Sequence, residues 1–542
     1  MSKLYKFFSK LEHDFHLGTA TVIIAVLTLL SRLTGFLRDL LLASQLGLSN
    51  QTDIYFTAFR IPDLIYNFLI LGTLSAAFIP VFTSYYIKDK KEAWQITNSI
   101  LNIAVLIMGG IAVIMFIFAG PLMKLVAPGF SEADLSQTVD LTRILLISPI
   151  IFTVSSVFSS TLLSLKKFIW VNTAPLLYNA GIVFGILVLL PKWGLKGLAI
   201  GVLIGAVLHV LIQLPQVINL GWGWRPVFIW KHKGVKKIIS LVIPRILGLD
   251  ISYVNLVIVS IIGSTLATGT IAAFNFANNI QAVPLGVFAL STTLAVFPVL
   301  SEQFAKKQLT GFITSFNNAF VRILYLVLPI SVLMLLLRAH LVRLLLGYGE
   351  CDWTCTITTF DALGILSLSL VAQSLVPLLS RAFYARQNTK LPVYIGLFSI
   401  ALNALLSYYL SFGLGIVGVT LGFVIASFVQ LGLLMLYLHR DLKRDLKNQN
   451  IVRESDYYIA SNTGKILIAC FVTAVIAYIT LFLLARVLDT HTVIGIFLQA
   501  GIATFISGVV YLFITAKFNL PDAVRIKTAL GKMEQFFNVT SV

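Results

Sequence analysis

Charge is scarce in this chain. Only 11% of its 542 residues are Asp, Glu, Lys or Arg, and acids are the scarcer sign, 22 against 40 bases. Soluble domains carry about 25% charged residues, so a water-soluble fold of this length is excluded. Cysteine is rarer still. Cys351, Cys355 and Cys470 are the three, too few for a disulfide scaffold and, with only two close in sequence, a poor metal site. Cys351 and Cys355 fall in an expected outer loop, where a local disulfide is open to them. The seven histidines contain no H-E-x-x-H, and no G-x-x-x-x-G-K-[ST] phosphate loop occurs. These absences exclude a zinc-protease helix and ATP hydrolysis of the phosphate-loop kind. A gradient, the membrane potential or the substrate's own fate is left as the energy source.

Long apolar runs fill the space that charge leaves. The chain is 58% hydrophobic, with mean hydropathy +0.93. A membrane-spanning helix needs about 20 apolar residues, and on that ruler the chain holds about 14 candidate spans. A transmembrane barrel would show short alternating segments instead. The fold class expected is therefore an all-α polytopic membrane protein.

The basic excess follows the loops rather than a nucleic-acid surface. With the N-terminus placed in the cytoplasm, 28 Lys and Arg residues fall on the inner side, among them Lys88, Lys90, Lys91, Lys166, Lys167, Lys306 and Lys307. Six fall outside: Lys124, Lys192, Lys196, Arg338, Arg343 and Arg486. That bias predicts a multi-pass protein of the bacterial cytoplasmic membrane with both termini cytoplasmic, with some attraction to anionic lipids and no nucleic-acid partner. No cleavable signal is evident. Leu4, Phe7, Phe8, Leu11 and Phe15 line one face of an expected interfacial helix at 1–18.

An internal repeat appears at an offset of about 218 residues. Ala77-Phe78-Ile79-Pro80-Val81-Phe82-Thr83 lies over Ala295-Val296-Phe297-Pro298-Val299-Leu300-Ser301, and Lys90-Lys91 over Lys306-Lys307. The offset covers six spans, an even number, so the repeats share orientation. The expected organisation is a first lobe at 19–218, a second at 219–438, a cytoplasmic connector at 439–463, two further spans within 464–515 and a cytoplasmic tail at 516–542. Glycines at 181–185 and 197–205 are expected to let helices pack closely.

Polar residues inside the spans carry the functional signal, because charges at membrane depth are costly and face a bundle interior or a wet cavity. The first span, 19–46, holds Arg32, Arg38 and Asp39. The second, 54–86 with its flank, places Asp53, Arg60, Asp63 and Asn67 on one expected stripe. The seventh holds Arg245 and Asp250. The eighth holds Asn275, Asn278, Asn279 and Gln281 ahead of Pro284. These spans open both repeats, and their polar faces are expected to line one cavity. Arginine suits phosphate or diphosphate there, since its fork makes paired charge-assisted bonds and stays charged. The competing reading makes Arg32–Asp39, Arg60–Asp63 and Arg245–Asp250 internal ion pairs. Asp140 and Arg143 are expected to pair at an outer edge, and His209 to be a packed core histidine.

These residues resemble the MurJ (MviN) family of lipid II flippases, in the multidrug/oligosaccharidyl-lipid/polysaccharide exporter superfamily. The resemblance rests on Ser31-Arg32-x-x-Gly35-x-x-Arg38-Asp39, Thr52-Asp53, Arg60-x-Pro62-Asp63-Leu64, Gly72, Pro80, Ala127-Pro128-Gly129-Phe130, and Phe383-Tyr384-Ala385-Arg386-Gln387 up to Pro392. It implies two parallel six-helix lobes plus two extra C-terminal helices that form a groove for a lipid tail. It implies transfer of an undecaprenyl-diphosphate-linked disaccharide pentapeptide from inner to outer leaflet by alternating access, with a transporter's role in peptidoglycan synthesis rather than an enzyme's. Arg32, Arg38, Asp39 and Asp53 match family cavity residues, and Arg60, Asp63, Arg245, Asn275, Asn278 and Asn279 complete the candidate substrate contacts. No cofactor is implied beyond sodium or the membrane potential as driving force, with Asp250, Asn403 and Thr420 as candidate sodium ligands.

The chain also departs from that family. Tyr66 or Asn67, and Asn279, stand where members often carry arginine. A flippase for another polyprenyl-diphosphate-linked glycan is therefore the alternative. A membrane glycosyltransferase or ligase would need a larger extramembrane loop with paired carboxylates. Expected partners are the lipid-linked glycan, membrane lipids and cell-wall synthesis enzymes, around a monomer.

Overall fold

The computed structural model describes residues 17–69, 73–246, 252–446, 449–525 and 528. Asp250 and nearly all of the interfacial helix expected at 1–18 lie outside them. Every regular element among the described residues is helical. Among the described residues ten helices are long and apolar enough to cross a membrane, and a shorter apolar helix covers Tyr253–Gly263. The longest stretch, Phe168–Asn219, is not one rod, because Gly194 adopts φ 58° and ψ −148° within it. Only glycine enters that backbone region at little cost.

Helices dominate for a physical reason. A backbone in hydrocarbon must satisfy its own hydrogen bonds, and the α-helix does so within one segment. The helix Lys90–Ile117 shows the other half of the argument. Its Leu106, Val113 and Ile117 are 62%, 59% and 63% exposed, an arrangement that water would penalise and acyl chains accept. The chain is a multi-pass α-helical membrane protein.

By compactness the chain divides into two units, Met1–Ala272 with Tyr348–Asp352, and Ala273–Gly347 with Trp353–Val542. In the first unit, Thr73–Lys88 packs against Ile147–Ser164, Lys90–Ile117 and Lys233–Ile246. Phe78, Phe82, Phe158 and Trp94 fill the centre of that packing, with Trp222 closing one side. Phe168–Phe184 lies between Leu17–Leu46 and Leu190–Leu211. The second of these contacts is glycine-made. A Cβ on Gly181 would collide with the Gly205 backbone, and one on Gly201 with Gly185.

The second span is interrupted. Helix covers Asn50–Ala58 and then Arg60–Leu69. Pro62 has no N–H for the Ala58 carbonyl, the bond an unbroken helix would make. Thr142 Oγ1 donates to that carbonyl instead, at 3.2 Å. The single stripe expected for Asp53, Arg60, Asp63 and Asn67 is thus divided between two helices.

In the second unit, Trp353–Ala385 packs against Leu309–Leu336 and Ile416–Asp445, and Lys390–Leu414 against Ile416–Asp445. The last two helices, Gln449–Leu484 and Val493–Lys517, are clasped to Leu309–Leu336 by polar bonds. Tyr511 Oη donates to the Tyr325 carbonyl at 2.7 Å and Asn317 donates to Ser455 at 2.9 Å, and Asp522, just beyond the last helix, pairs with Arg322 at 3.0 Å. The polar segment expected as a connector is helical on both sides of residues 447–448. Cys351 and Cys355 are disulfide-bonded, and Cys470 is free and buried.

Candidate functional site

The first unit gathers its intramembrane charge around Arg38. This residue lies on Leu17–Leu46, where Asp39 follows it directly. Arg38 Nε and Nη2 donate to Asp39 Oδ1 at 2.9 and 2.8 Å, and Nη1 donates to Asn179 Oδ1 at 3.3 Å. The amide of Asn179 donates back to the Ser31 carbonyl and to Thr34 Oγ1, each at 3.3 Å. Phe168–Phe184, which carries Asn179, therefore sets the guanidinium's orientation. Tyr55, Tyr178 and Asp63 lie within electrostatic reach of Arg38, and Tyr66 lies within reach of Asp63.

The geometry leaves part of this cation open. A guanidinium carries five N–H donors, and among the described residues the three bonds above leave two. The Arg38 side chain is 26% exposed, while Asp39 is 9% exposed. A guanidinium held by its rear edge with two donors free is suited to an anionic oxygen, and a charge-assisted bond is about twice as strong as a neutral one.

Other expected site residues are placed differently. Asp53 is buried, and its two carboxylate oxygens accept the Gly269 and Ala272 N–H groups at 2.7 and 2.8 Å. It caps the start of the helix Thr270–Pro284. Arg60 is buried and donates from Nε to Ser260 Oγ at 2.7 Å, which ties Arg60–Leu69 to Ser252–Gly263. These contacts give both residues a positioning role that their spacing did not suggest. Arg32 is half-buried on the same helix as Arg38. Asn67 donates to the Asp63 carbonyl at 2.7 Å. Arg245 lies on Lys233–Ile246, and its side chain is outside the described residues.

In the second unit, Asn275 is buried, and Asn278 and Asn279 are half-buried. Gln281 is committed to structure, donating to the Leu366 carbonyl at 2.6 Å and Ser369 Oγ at 2.9 Å. Asn403 and Thr420 are both buried. Ser407 joins their neighbourhoods, donating to Asn403 Oδ1 at 2.9 Å and to the Val419 carbonyl at 3.1 Å. Asn403 Oδ1 and the Thr420 hydroxyl are hard oxygen donors of the kind an alkali cation takes. Asp250 lies outside the described residues. Among the described residues no cluster of three His, Cys, Asp or Glu side chains forms.

Of two outlying expectations, one is corrected and one is met. Asp140 pairs with Lys196 at 2.9 Å rather than with Arg143, whose guanidinium lies 5.1 Å from the Phe116 ring centre. His209 is a packed residue, and its Nδ1 sits 2.6 Å from Ser155 Oγ. Asn179, Tyr55 and Tyr178 were missed altogether. Tyr178 and Asn179 add polar groups to a span that already carries Asn172 and Thr173.

A helical bundle with a held, partly open arginine at membrane depth defines a membrane transporter fold rather than a soluble enzyme. Comparison with known proteins agrees. The profile of the family described as lipid II flippase MurJ matches residues 42–515. A probable lipid II flippase MurJ of Buchnera aphidicola subsp. Acyrthosiphon pisum is 29% identical over 501 residues, covering 90% of this chain and 95% of its own. The solved structure of lipid II flippase MurJ in an inward closed conformation aligns with a TM-score of 0.74 at 22% identity, covering 92% of this chain and 98% of that one. An inward-facing multidrug resistance MATE family transporter of the MOP superfamily aligns with a TM-score of 0.65 at 15% identity, over 78% and 98% of the two chains. These two likenesses concern the fold. The chain belongs to the lipid II flippase MurJ family.

Proposed function

We propose that this chain is a lipid II flippase, moving the undecaprenyl-diphosphate-linked disaccharide pentapeptide from the inner to the outer leaflet of a bacterial cytoplasmic membrane. Family membership supplies the substrate class. The observation that carries the site assignment is Arg38, fixed by Asp39 and Asn179 with two N–H donors left over. A diphosphate presents oxygens for those donors, and binding there compensates the cost of carrying the phosphate charge through a low-dielectric region. Arg32 and Asp63 are the further polar contacts in this proposal.

Alternating access is the proposed mode of transport, with both termini in the cytoplasm. Sodium or the membrane potential is the proposed driving force, and Asn403, Thr420 and Asp250 are the proposed cation ligands. Cell-wall synthesis enzymes are the expected protein partners of a monomeric flippase. Purified protein in vesicles loaded with fluorescent lipid II tests the proposal. Lipid II should become accessible on the opposite face at a rate well above protein-free vesicles, and Arg38→Gln should return that rate to the background. Equal rates with and without protein would overturn it.

The neutral Tyr66, Asn67 and Asn279 favour a second reading, a flippase for another polyprenyl-diphosphate-linked glycan. A competition panel of such glycans read by native mass spectrometry separates the two.

A further inference from the structure

The segment after the helix Leu214–Asn219 is an extended strap laid along the helix Lys90–Ile117. Two asparagines one turn apart hold it. Asn98 accepts the Trp222 indole N–H at 3.0 Å and donates to the Gly223 carbonyl at 2.8 Å. Asn102 accepts the Trp224 indole N–H at 3.2 Å and donates to the Arg225 and Val227 carbonyls at 2.8 and 3.1 Å. Ser99 Oγ accepts the Ile229 N–H at 3.1 Å. The strap ends where His232 Nε2 meets Glu92 at 2.9 Å, its Nδ1 accepting the Gly234 N–H at 3.1 Å. From Asn102 to Glu92 the strap runs beside about 15 Å of helix.

Its outer surface has two zones. Trp224, Phe228 and Trp230 are 62%, 47% and 47% exposed, although an apolar ring normally seeks cover. Tryptophan's amphipathic ring is favoured at the headgroup level of a bilayer. Immediately beyond lie Lys231, Lys233, Lys236 and Lys237, all exposed. The Glu92–His232 contact sets them beside Lys88, Lys90 and Lys91, also exposed. No acid occurs from Asn219 to Leu249. The two acids nearest in the partner helix are occupied, Asp89 capping the Lys91 N–H at 2.8 Å and Glu92 holding His232.

We infer that this strap is a binding surface for anionic phospholipid, its rings seated among headgroups and its lysines holding lipid phosphates. A bare positive loop would also satisfy topology. Here the backbone leading into the lysines is held by eight hydrogen bonds to one helix and within the strap itself. It is continuous with aromatic rings and with the lipid-exposed flank of Lys90–Ile117. Seven lysines without an ion pair among the described residues complement a leaflet of negative surface potential. The inference rests on the chain being a multi-pass membrane protein and on nothing about its cargo.

The test uses the full chain in phosphatidylcholine vesicles containing either brominated phosphatidylcholine or brominated phosphatidylglycerol, with tryptophan emission recorded. Seven tryptophans contribute, so the strap's share is the difference between the parent and a W224F/W230F variant. Brominated phosphatidylglycerol should quench that share with an apparent affinity at least about fivefold above brominated phosphatidylcholine. The preference should vanish in K231Q/K233Q/K236Q/K237Q and persist when the same four positions become arginine. It should also vanish for the parent in about 1 M salt, where the screening length falls to about 3 Å. The salt series needs no variant and decides even if the glutamine protein misfolds. Equal quenching by the two lipids in the parent at low salt, or a preference insensitive to salt, overturns the assignment.

Discussion

Asp53 and Gly269 are 216 residues apart in sequence, yet the Asp53 carboxylate accepts the Gly269 N–H at 2.7 Å. Its second oxygen takes the Ala272 N–H at 2.8 Å. A carboxylate at a helix start satisfies donors that have no partner within the helix and lies at the positive end of its dipole. Asp53→Ala is expected to cost about 1–2 kcal/mol. Hydrogen–deuterium exchange should accelerate at residues 269–272, and unchanged protection there would contradict the capping role.

Arg38 and its neighbours make a sharper case. Arg38→Gln should abolish lipid II flipping while the protein still inserts and keeps its melting temperature within a few degrees. Arg38→Lys should recover only part of the activity, because one ammonium cannot reproduce the fork that spans Asp39 and Asn179. Full activity in either variant, measured in proteoliposomes, would remove Arg38 from the transport path.

Arg60 is predicted to behave differently despite carrying the same charge. Its Nε is spent on Ser260 Oγ at 2.7 Å. Ser260→Ala should lower stability by about 1–3 kcal/mol, the cost of leaving a buried donor short of its partner. Flipping should stay within about threefold of the parent once the protein is folded, since the change touches packing. A thermal melt in detergent and a flipping rate on one preparation separate the two effects.

The glycine contact between Phe168–Phe184 and Leu190–Leu211 tolerates no side chain. Gly205→Val should reduce folded yield sharply, since overpacking costs about 1–3 kcal/mol or more and the clash is with backbone that cannot rotate aside. Gly109→Val serves as its control, because nothing lies within 4 Å of a Cβ placed there. Equal yields of the two variants by size-exclusion chromatography would refute the packing argument.

Asn279→Arg addresses the substrate. If the headgroup is a diphosphate, an added cation on the half-buried face of this helix should leave lipid II flipping intact. Loss of flipping with an unchanged melt would favour a substrate with a different headgroup.

Much of this architecture was legible before any coordinates. Apolar runs longer than a bilayer is thick, with sparse charge between them, allow little besides a helical membrane protein. The first-span motif Arg32, Arg38 and Asp39 already marked the helix that carries the proposed site. The glycine runs at 181–185 and 197–205 already announced a close contact, since small residues in a span have little other use.

What the sequence by itself determined was the helical class, the membrane setting and the family, because these depend on local composition and on motifs read along one strand of chain. Only the tertiary structure decided what each intramembrane charge does. Arg38, Asp53 and Arg60 look alike in sequence, as costly charges beside an apolar run. One keeps two donors open, one caps a helix by accepting an N–H from 216 residues later, and one is bonded to Ser260. A charge in a low-dielectric interior must find a partner, and that partner comes from a helix distant in sequence. Spacing along a single span carries no record of it.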